Sequence, residues 1–350
     1  MPPARRRTEL TWCQSVSAGG TYAANMITHE DRRLRALAAQ GSWAELLGIY
    51  RQTRAATAAL SGERAAAREA AAFGHELAFA APAEVGAGLF DPSAGPGAVA
   101  GEYDGRVGPL WEVLASRHSW AVLDPLLPGE PIRTLVAHTR VLLGEDLTDS
   151  TLTGTNPPLA LRPWEQAGWE PGSRVTSYRR GGAAATALFS LPDTREGLGP
   201  IRLPAPGSAL PGPDQPATAA LRGLSSWLST RCLRGSAPDA AALLAPSGAP
   251  ATGGYIPFAL AYPALVRAAS GAGAYGEPGG AARGRIAVWG ALAAMADPFG
   301  AAPAEEVDAL VARMRCFTWC DPADEIWHLH LALEDPATGL AWAVSGSDYD

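Results

Sequence analysis

Hydrophobic residues recur at helical spacing through the first part of the chain. In "SWAELLGIY", Trp43, Leu46 and Tyr50 lie three or four residues apart, which predicts an amphipathic helix. Ser42 and the glutamate three residues later form the pattern of a capping box, and "THED" upstream has the same form. Similar stretches follow, so we expect residues 28–147 to be an α-helical region, either a bundle or an irregular α-solenoid.

The first 27 residues show no such period. Their apolar residues are scattered among glycine, serine and arginine. We therefore expect residues 1–27 to be a disordered N-terminal segment, with Met26 as an alternative first residue.

The pattern changes in the middle of the chain, within the predicted region 148–350. The short runs "LALRPWE", "RVTSYRRG" and "ATALFSLP" are bounded by proline or glycine, which predicts short strands. Residues 192–216 are rich in proline and glycine and form a predicted linker or long loop. Helices are predicted again at "ATAALRGLSSWLSTRCL", "YIPFALAYPALVRAAS", "GRIAVWGALAAMA" and "AEEVDALVARM".

The closing residues read as strands. "IWHLHLALE" alternates strictly, which predicts a core face of Trp327, Leu329 and Leu331 and a second face that carries the histidines. "DPATG" is a turn signal, and "RCFTWC" before it and "LAWAV" after it are strand-like. We expect an α+β protein whose C-terminal helices end in a three-stranded antiparallel meander at 315–346.

Composition excludes several mechanisms, because all 28 basic residues are arginine. Without a lysine amine there is no Schiff base with pyridoxal phosphate, no P-loop lysine and no Ser-x-x-Lys site. Nucleotide chemistry of the P-loop type and pyridoxal phosphate are thereby excluded as cofactors. No other cofactor is predicted, apart from the divalent metal considered below.

Charge and apolar run length bear on partners and location. The net charge of −7 argues against bulk attraction to nucleic acid or to an anionic membrane. The longest apolar runs fall short of the roughly 20 residues of a membrane helix, and no signal peptide is complete. Four irregularly spaced cysteines do not form a disulfide framework. We expect a cytoplasmic protein whose partner is another protein or a small ligand.

Two motifs suggest sites that the local context does not support. Glu165 and Glu170 in "WEQAGWE" are a carboxylate pair of the kind that glycoside hydrolysis needs, but nothing fixes their separation, and a surface turn is the ordinary expectation. Gly271, Gly273 and Gly276 follow a Gly-x-Gly-x-x-Gly pattern, but a helix rather than a strand precedes them, which excludes the dinucleotide-binding interpretation.

An anion site at Arg283 and Arg285 is a weaker hypothesis. Both arginines enter the apolar helix "IAVWGALAAMA", whose N-terminus would offer free N–H groups and a positive dipole end to phosphate or a nucleotide. The alternative is that the nearby glycines permit tight packing and that the arginines pair with carboxylates.

A divalent metal site is the remaining chemical hypothesis. His328, His330 and Glu334 share the second face of one predicted strand, and side chains of this kind bind divalent ions. Cys316 and Cys320 do not join them, because residues four apart in a strand are separated by about 13 Å. The alternative is a half-exposed face, or one covered by a helix that packs on the small Ala341 and Ala343 nearby.

The remaining motifs carry no chemistry. No nucleophile elbow and no His-Glu-x-x-His occurs, and His29, His75, His118 and His138 lie singly, as ordinary histidines do. The run from "GAYGEPGGAARGRIAVWGALAAMA" to "GLAWAVSGSDYD" resembles the C-terminal part of an uncharacterised family of GC-rich actinobacterial proteins, over roughly the last 80 residues. That family has no established activity, so the resemblance implies none.

The sequence therefore favours a bacterial cytoplasmic protein without catalysis that binds a protein or a small ligand. A metal-assisted hydrolase centred on His328, His330 and Glu334 is the alternative. Phosphate or nucleotide binding at Arg283 and Arg285 is the third.

Overall fold

A computed structural model of the chain describes residues 29–91, 108–152, 156–169, 172–185, 191, 198–210, 216–245, 251–271, 279–299, 302–320 and 327–348. The predicted disordered segment 1–27 lies outside these residues, as do Glu170, Gly273 and Gly276. The predicted α+β class is confirmed.

The helices fall into an N-terminal set and a C-terminal set. The first set comprises α1 (His29–Gln40), α2 (Trp43–Ser61), α3 (Glu63–Ala80), α4 (Ala83–Ala87), α5 (Leu110–Arg117), α6 (Trp120–Leu123) and α7 (Ile132–Leu142). The second set comprises α8 (Pro163–Ala167), α9 (Pro216–Arg222), α10 (Ala237–Ala241), α11 (Phe258–Ala269), α12 (Ala281–Ala296) and α13 (Ala304–Arg313).

The strands form a small hairpin and one larger sheet. They are β1 (Ser177–Arg179), β2 (Gly182–Ala185), β3 (Gly199–Ile201), β4 (Ser229–Arg234), β5 (Ala251–Ile256), β6 (Arg315–Cys320), β7 (Trp327–Asp335) and β8 (Leu340–Asp348). Strands β1 and β2 pair with each other, and the other six form an antiparallel sheet in the order β3-β5-β6-β7-β8-β4.

The predicted meander, β6 to β8, is the centre of this sheet. Its second turn is the "DPATG" segment, in which Gly339 has φ +67° and donates its N–H to the Asp335 carbonyl at 2.9 Å. Glycine adopts this left-handed conformation without the steric cost of a Cβ atom. The turn signal in the sequence therefore located the hairpin correctly.

Three local predictions were wrong. The stretch "LALRPWE" is not a strand, because proline at the start of α8 and the Glu165 carboxylate, which accepts from Arg162 N at 2.9 Å, begin a helix there. Strand β4 and the last two residues of β5, Tyr255 and Ile256, had been included in helices. Both are held by hydrogen bonds to distant strands, Cys232 opposite Trp342 and Tyr255 opposite Phe317, which a local pattern does not contain.

Helix α12 joins two hydrophobic cores. The first core lies between one sheet face and helices α9, α11, α12 and α13, and it includes Leu329 and Leu331, as the alternation predicted. The second core lies within α1 to α7. Val288 and Trp289 of α12 belong to the first core, whereas Ala282 belongs to the second. None of the described helices is long and apolar enough to span a membrane.

Candidate functional site

Arg285 lies in the interior rather than at an open anion site. Its side chain is 0% exposed, and its guanidinium donates from Nε to Glu165 Oε1 at 2.8 Å and from Nη2 to Glu165 Oε2 at 2.9 Å. Nη1 donates to His138 Nδ1 at 2.8 Å. Arg283 on the same helix is half-buried. The anion hypothesis at these two arginines stays a prediction, and the guanidinium of Arg285 is already engaged by a carboxylate.

Glu165 is the centre of a buried polar cluster, which we call the Glu165 cluster. Besides Arg285, its Oε1 atom accepts from Tyr262 Oη at 2.7 Å and from Trp289 Nε1 at 2.9 Å. Burial alone would raise the pKa of Glu165, but the Arg285 charge and these hydrogen bonds outweigh burial and lower it. Burial, and then the Arg285 charge, lower the pKa of His138 to about 3. The donors and acceptors of the Glu165 cluster are satisfied within the protein, as in a structural ion pair.

The N-terminus of α12 also has an internal carboxylate. Ala281 N donates to Glu112 Oε2 at 2.6 Å, and Tyr178 Oη donates to Glu112 Oε1 at 2.7 Å. Glu112 is fully buried, and burial raises its pKa. The sequence pattern suggested an external anion at the N-terminus of this helix. In the structure the Glu112 side chain accepts a hydrogen bond there and lies at the positive end of the helix dipole.

His328 and His330 lie together on the sheet face opposite the first core. Their rings stack with centroids 5.5 Å apart, Trp319 stacks on His330 at 5.6 Å, and His330 Nδ1 lies 2.8 Å from Ser345 Oγ. Glu334 is four residues further along the strand, about 13 Å away. There it accepts from Ala237 N, at the start of α10, at 3.0 Å.

This arrangement does not bring the three predicted metal ligands together. Helix α10 packs over Ala341 and Ala343, as one of the alternatives proposed, and it takes up the Glu334 carboxylate. Within the described part of the chain, no group of three or more His, Cys, Asp or Glu side chains is arranged to hold a metal ion. The metal hypothesis stays a prediction, with two adjacent histidines rather than three converging ligands.

Two of the cysteines on the sheet, Cys232 and Cys316, are unsuited to nucleophilic chemistry. Cys232 and Cys316 are buried free thiols, and burial raises their pKa values to about 11 and about 12. A thiol of this kind stays protonated near neutral pH, and the thiolate is the reactive form.

Two cavities open on the helical side of the molecule and share one arginine. The smaller, about 360 Å³, is lined by Trp43, Phe79, Arg117, His118 and Arg180, among others. The larger, about 610 Å³, adds Leu34, Arg35, His75 and Glu76 around the same Arg180. Both volumes lie in the range of small-molecule sites. We call the two cavities together the Arg180 cleft.

Five elements build this cleft. Helix α1 and the start of α2 supply one wall, the C-terminal ends of α3 and α5 supply the other, and the tip of the β1–β2 hairpin carries Arg180 between them. The hairpin is fixed to α3 by Arg180, which donates from Nε and Nη2 to Glu76 Oε1 at 2.8 and 2.6 Å. It is also fixed by the Arg179 carbonyl, 2.8 Å from His75 Nε2.

Positive charge dominates the cleft. Arg117 donates from Nε to the Phe79 carbonyl at 3.1 Å, and its guanidinium lies 4.6 Å from the Phe79 ring centroid. A guanidinium is favoured there by the negative end of the α3 dipole. Neither Arg117 nor Arg35 has a carboxylate within ion-pair distance among the described residues. Two exposed guanidinium groups therefore remain open to a ligand, and Glu76 is the acidic side chain among the lining residues.

Each cavity also contains a histidine with an unpaired nitrogen. His75 Nδ1 and His118 Nε2 are buried without a hydrogen-bond partner in the described structure. Burial lowers the pKa of His118, against a hydrogen bond with the Ala81 backbone that raises it. Unpaired buried nitrogens are uncommon, because each costs about 1–3 kcal/mol.

Little in the amino-acid sequence indicates this cleft. His75 and His118 are single histidines in helical surroundings, and Arg180 belongs to the "RRGG" of a predicted strand end. Positive φ at Gly181 and Gly182 makes this turn, which carries Arg180 to α3. That docking follows from tertiary contacts more than 100 residues apart in the sequence.

Comparison with known proteins adds no relative to this picture. No model of a protein family matches the chain, and neither a curated protein nor a solved structure is found to match it.

Proposed function

We propose that this protein is a non-catalytic binding protein that takes a small, partly apolar organic anion in the Arg180 cleft. The observation that carries the proposal is the pair of cavities around Arg180, with Arg35 and Arg117 lacking carboxylate partners among the described residues. We also propose that the protein is cytoplasmic and that its C-terminal part is related to the uncharacterised actinobacterial family that it resembles.

The lining residues support both parts of this ligand description. Arginine binds carboxylate and phosphate oxygens through a planar fork of donors. Trp43, Phe79 and Leu34 add apolar surface beside the charges. No nucleophile and base lie together among the lining residues in the way that covalent catalysis requires.

Calorimetric titration with a matched pair of probes tests this function. The carboxylate 3-phenylpropionate is expected to bind at least tenfold more tightly than its neutral amide, because only the carboxylate forms charge-assisted hydrogen bonds with arginine. Arg117→Gln and Arg35→Gln are each expected to weaken binding of the carboxylate by about tenfold.

Arg222→Gln is the matched control. Arg222 is exposed at the end of α9 and lines neither cavity. This variant should bind the carboxylate as the wild type does. Equal binding of carboxylate and amide, or equal losses in all three variants, would refute the proposed function.

A further inference from the structure

The larger cavity of the Arg180 cleft has hydrogen-bond acceptors as well as arginines. Glu76 is 5% exposed, and both of its contacts with Arg180 are made through Oε1. Its second oxygen, Oε2, has no hydrogen-bond partner within the described part of the chain and is not among its fully buried unpaired atoms. One oxygen of this carboxylate, on a side chain that lines the cavity, therefore remains accessible and without a partner among the described residues.

His75 supplies a second acceptor next to it. The Arg179 carbonyl can only accept, so His75 Nε2 carries the hydrogen of that 2.8 Å bond. In the neutral ring Nδ1 then bears the lone pair, and this atom has no partner. The side chain is 1% exposed and forms part of the cavity wall. Two neighbouring residues of α3 thus present acceptors that the protein leaves unsatisfied.

The smaller cavity lacks such acceptors on acidic side chains. Its charged lining residues are Arg117 and Arg180. A ligand whose carboxylate lies at Arg180, which both cavities share, would meet guanidinium donors there and the Glu76 and His75 acceptors beside them.

We infer that the ligand is a zwitterion of the amino-acid type, with a carboxylate held by the arginines and an ammonium group that donates to Glu76 Oε2 and His75 Nδ1. This inference rests on the proposed function, since it names the class of anion that the cleft takes. An ammonium group fits better than a hydroxyl, because it supplies three donors and a charge that complements the open carboxylate oxygen.

Three probes with one carbon skeleton test the inference on the wild-type protein. The probes differ only in the substituent on the carbon next to the carboxylate. It is an ammonium group in L-phenylalanine, a hydroxyl in L-3-phenyllactate and hydrogen in 3-phenylpropionate. We expect L-phenylalanine to bind at least tenfold more tightly than either other probe. Glu76→Gln, whose amide oxygen can still accept from Arg180, should reduce this preference about tenfold, and an unchanged preference in this variant would contradict the inference.

The outcomes separate the two proposals. If 3-phenylpropionate binds and depends on Arg117 but L-phenylalanine binds no better, the zwitterion inference fails and the anion-binding function stands. Equal affinity for L-3-phenyllactate and L-phenylalanine would likewise overturn the inference that the ligand carries an ammonium group. Thermal melting identifies a variant that does not fold, and the wild-type comparison decides the question in that case.

Discussion

At the scale of single residues, the Arg285–Glu165 pair shows that an arginine near a helix start need not serve a ligand. Both side chains are 0% exposed, and each charge has its partner in the other. A buried pair of this kind contributes little net stability compared with an apolar pair, but removing one member leaves an uncompensated charge. The pair is therefore sensitive to changes on either side.

Glu165→Gln is expected to lower the free energy of unfolding by about 3–5 kcal/mol, because Arg285 would keep its charge in the interior. Urea denaturation measures this loss. Glu69→Gln, at an exposed position of α3 outside the described ion pairs, is the control and should change stability by less than about 0.5 kcal/mol. Similar values for the two variants would contradict the interpretation.

His138 makes stability depend on pH. Its pKa is about 3 in the folded protein and near 6.5 when unfolded, so below pH 6.5 the unfolded chain binds the extra proton. Its contribution is fully present above pH 6.5 and is lost as the pH falls toward 3, at roughly 1.4 kcal/mol per pH unit. His138→Asn, which keeps an acceptor for Arg285, should show a shallower decrease in stability between pH 6.5 and pH 5. If the stability of the wild type and that of His138→Asn fell in parallel with pH, the contribution of His138 would be ruled out.

At the scale of elements, α11 and α12 approach closely at a glycine. A methyl group added at Gly284 would overlap the Val266 carbonyl oxygen of α11, whereas one added at Gly290 of the same helix meets nothing within 4 Å. The two positions therefore separate helix propensity from helix packing.

Gly284→Ala is expected to destabilise the protein by about 1–3 kcal/mol, since the two helices must move apart. Gly290→Ala should stabilise it by up to about 1 kcal/mol, since alanine is the better helix former at an exposed position. Denaturation of both variants checks the signs, and a stabilising Gly284→Ala would show that α11 and α12 are not in close contact.

Elements with strong local patterns were predictable, and elements held by distant partners were not. Helices α3, α5 and α7 and the β7–β8 hairpin carry their signals in period, turn and cap residues. Strand β4 has six residues and is defined by pairing with β8, and β3 lies in the proline-rich stretch that reads as a linker. The capping box at Ser42 located the start of α2, although the serine side chain forms no capping hydrogen bond.

The candidate site could not be predicted either, because its residues come together only through distant contacts. The Arg180 cleft combines residues from α1, α3, α5 and a hairpin tip, and in the sequence each of them is an ordinary surface or helix residue. Arg285, by contrast, was singled out in the sequence. The apolar helix that carries it was predicted, but the partner Glu165, 120 positions upstream, could not be identified from local spacing.

At the scale of the whole molecule, α12 couples the two cores. Its side chains lie in both, Ala281 N is capped by Glu112 of α5, and Arg285 contacts His138 of α7. The helical part and the sheet part should therefore unfold together rather than as independent units.

Leu114→Ala and Leu310→Ala test this coupling. Leu114 is fully buried in the second core and Leu310 in the first, so each change should cost about 2–5 kcal/mol. In both variants, urea transitions followed by circular dichroism and by tryptophan fluorescence should coincide and shift together. A transition that splits into two steps in either variant would show that the cores unfold separately.

The position of β8 in the sheet has a consequence for synthesis on the ribosome. Strand β8 lies between β7 and β4, and it pairs Arg234 of β4 with Leu340, more than 100 residues later in the chain. At roughly 5–20 residues per second, β4 leaves the ribosome on the order of ten seconds before its partner exists. The nascent chain must keep an unpaired strand edge out of intermolecular contact during that interval, so β4 is exposed to misassembly until β8 is made.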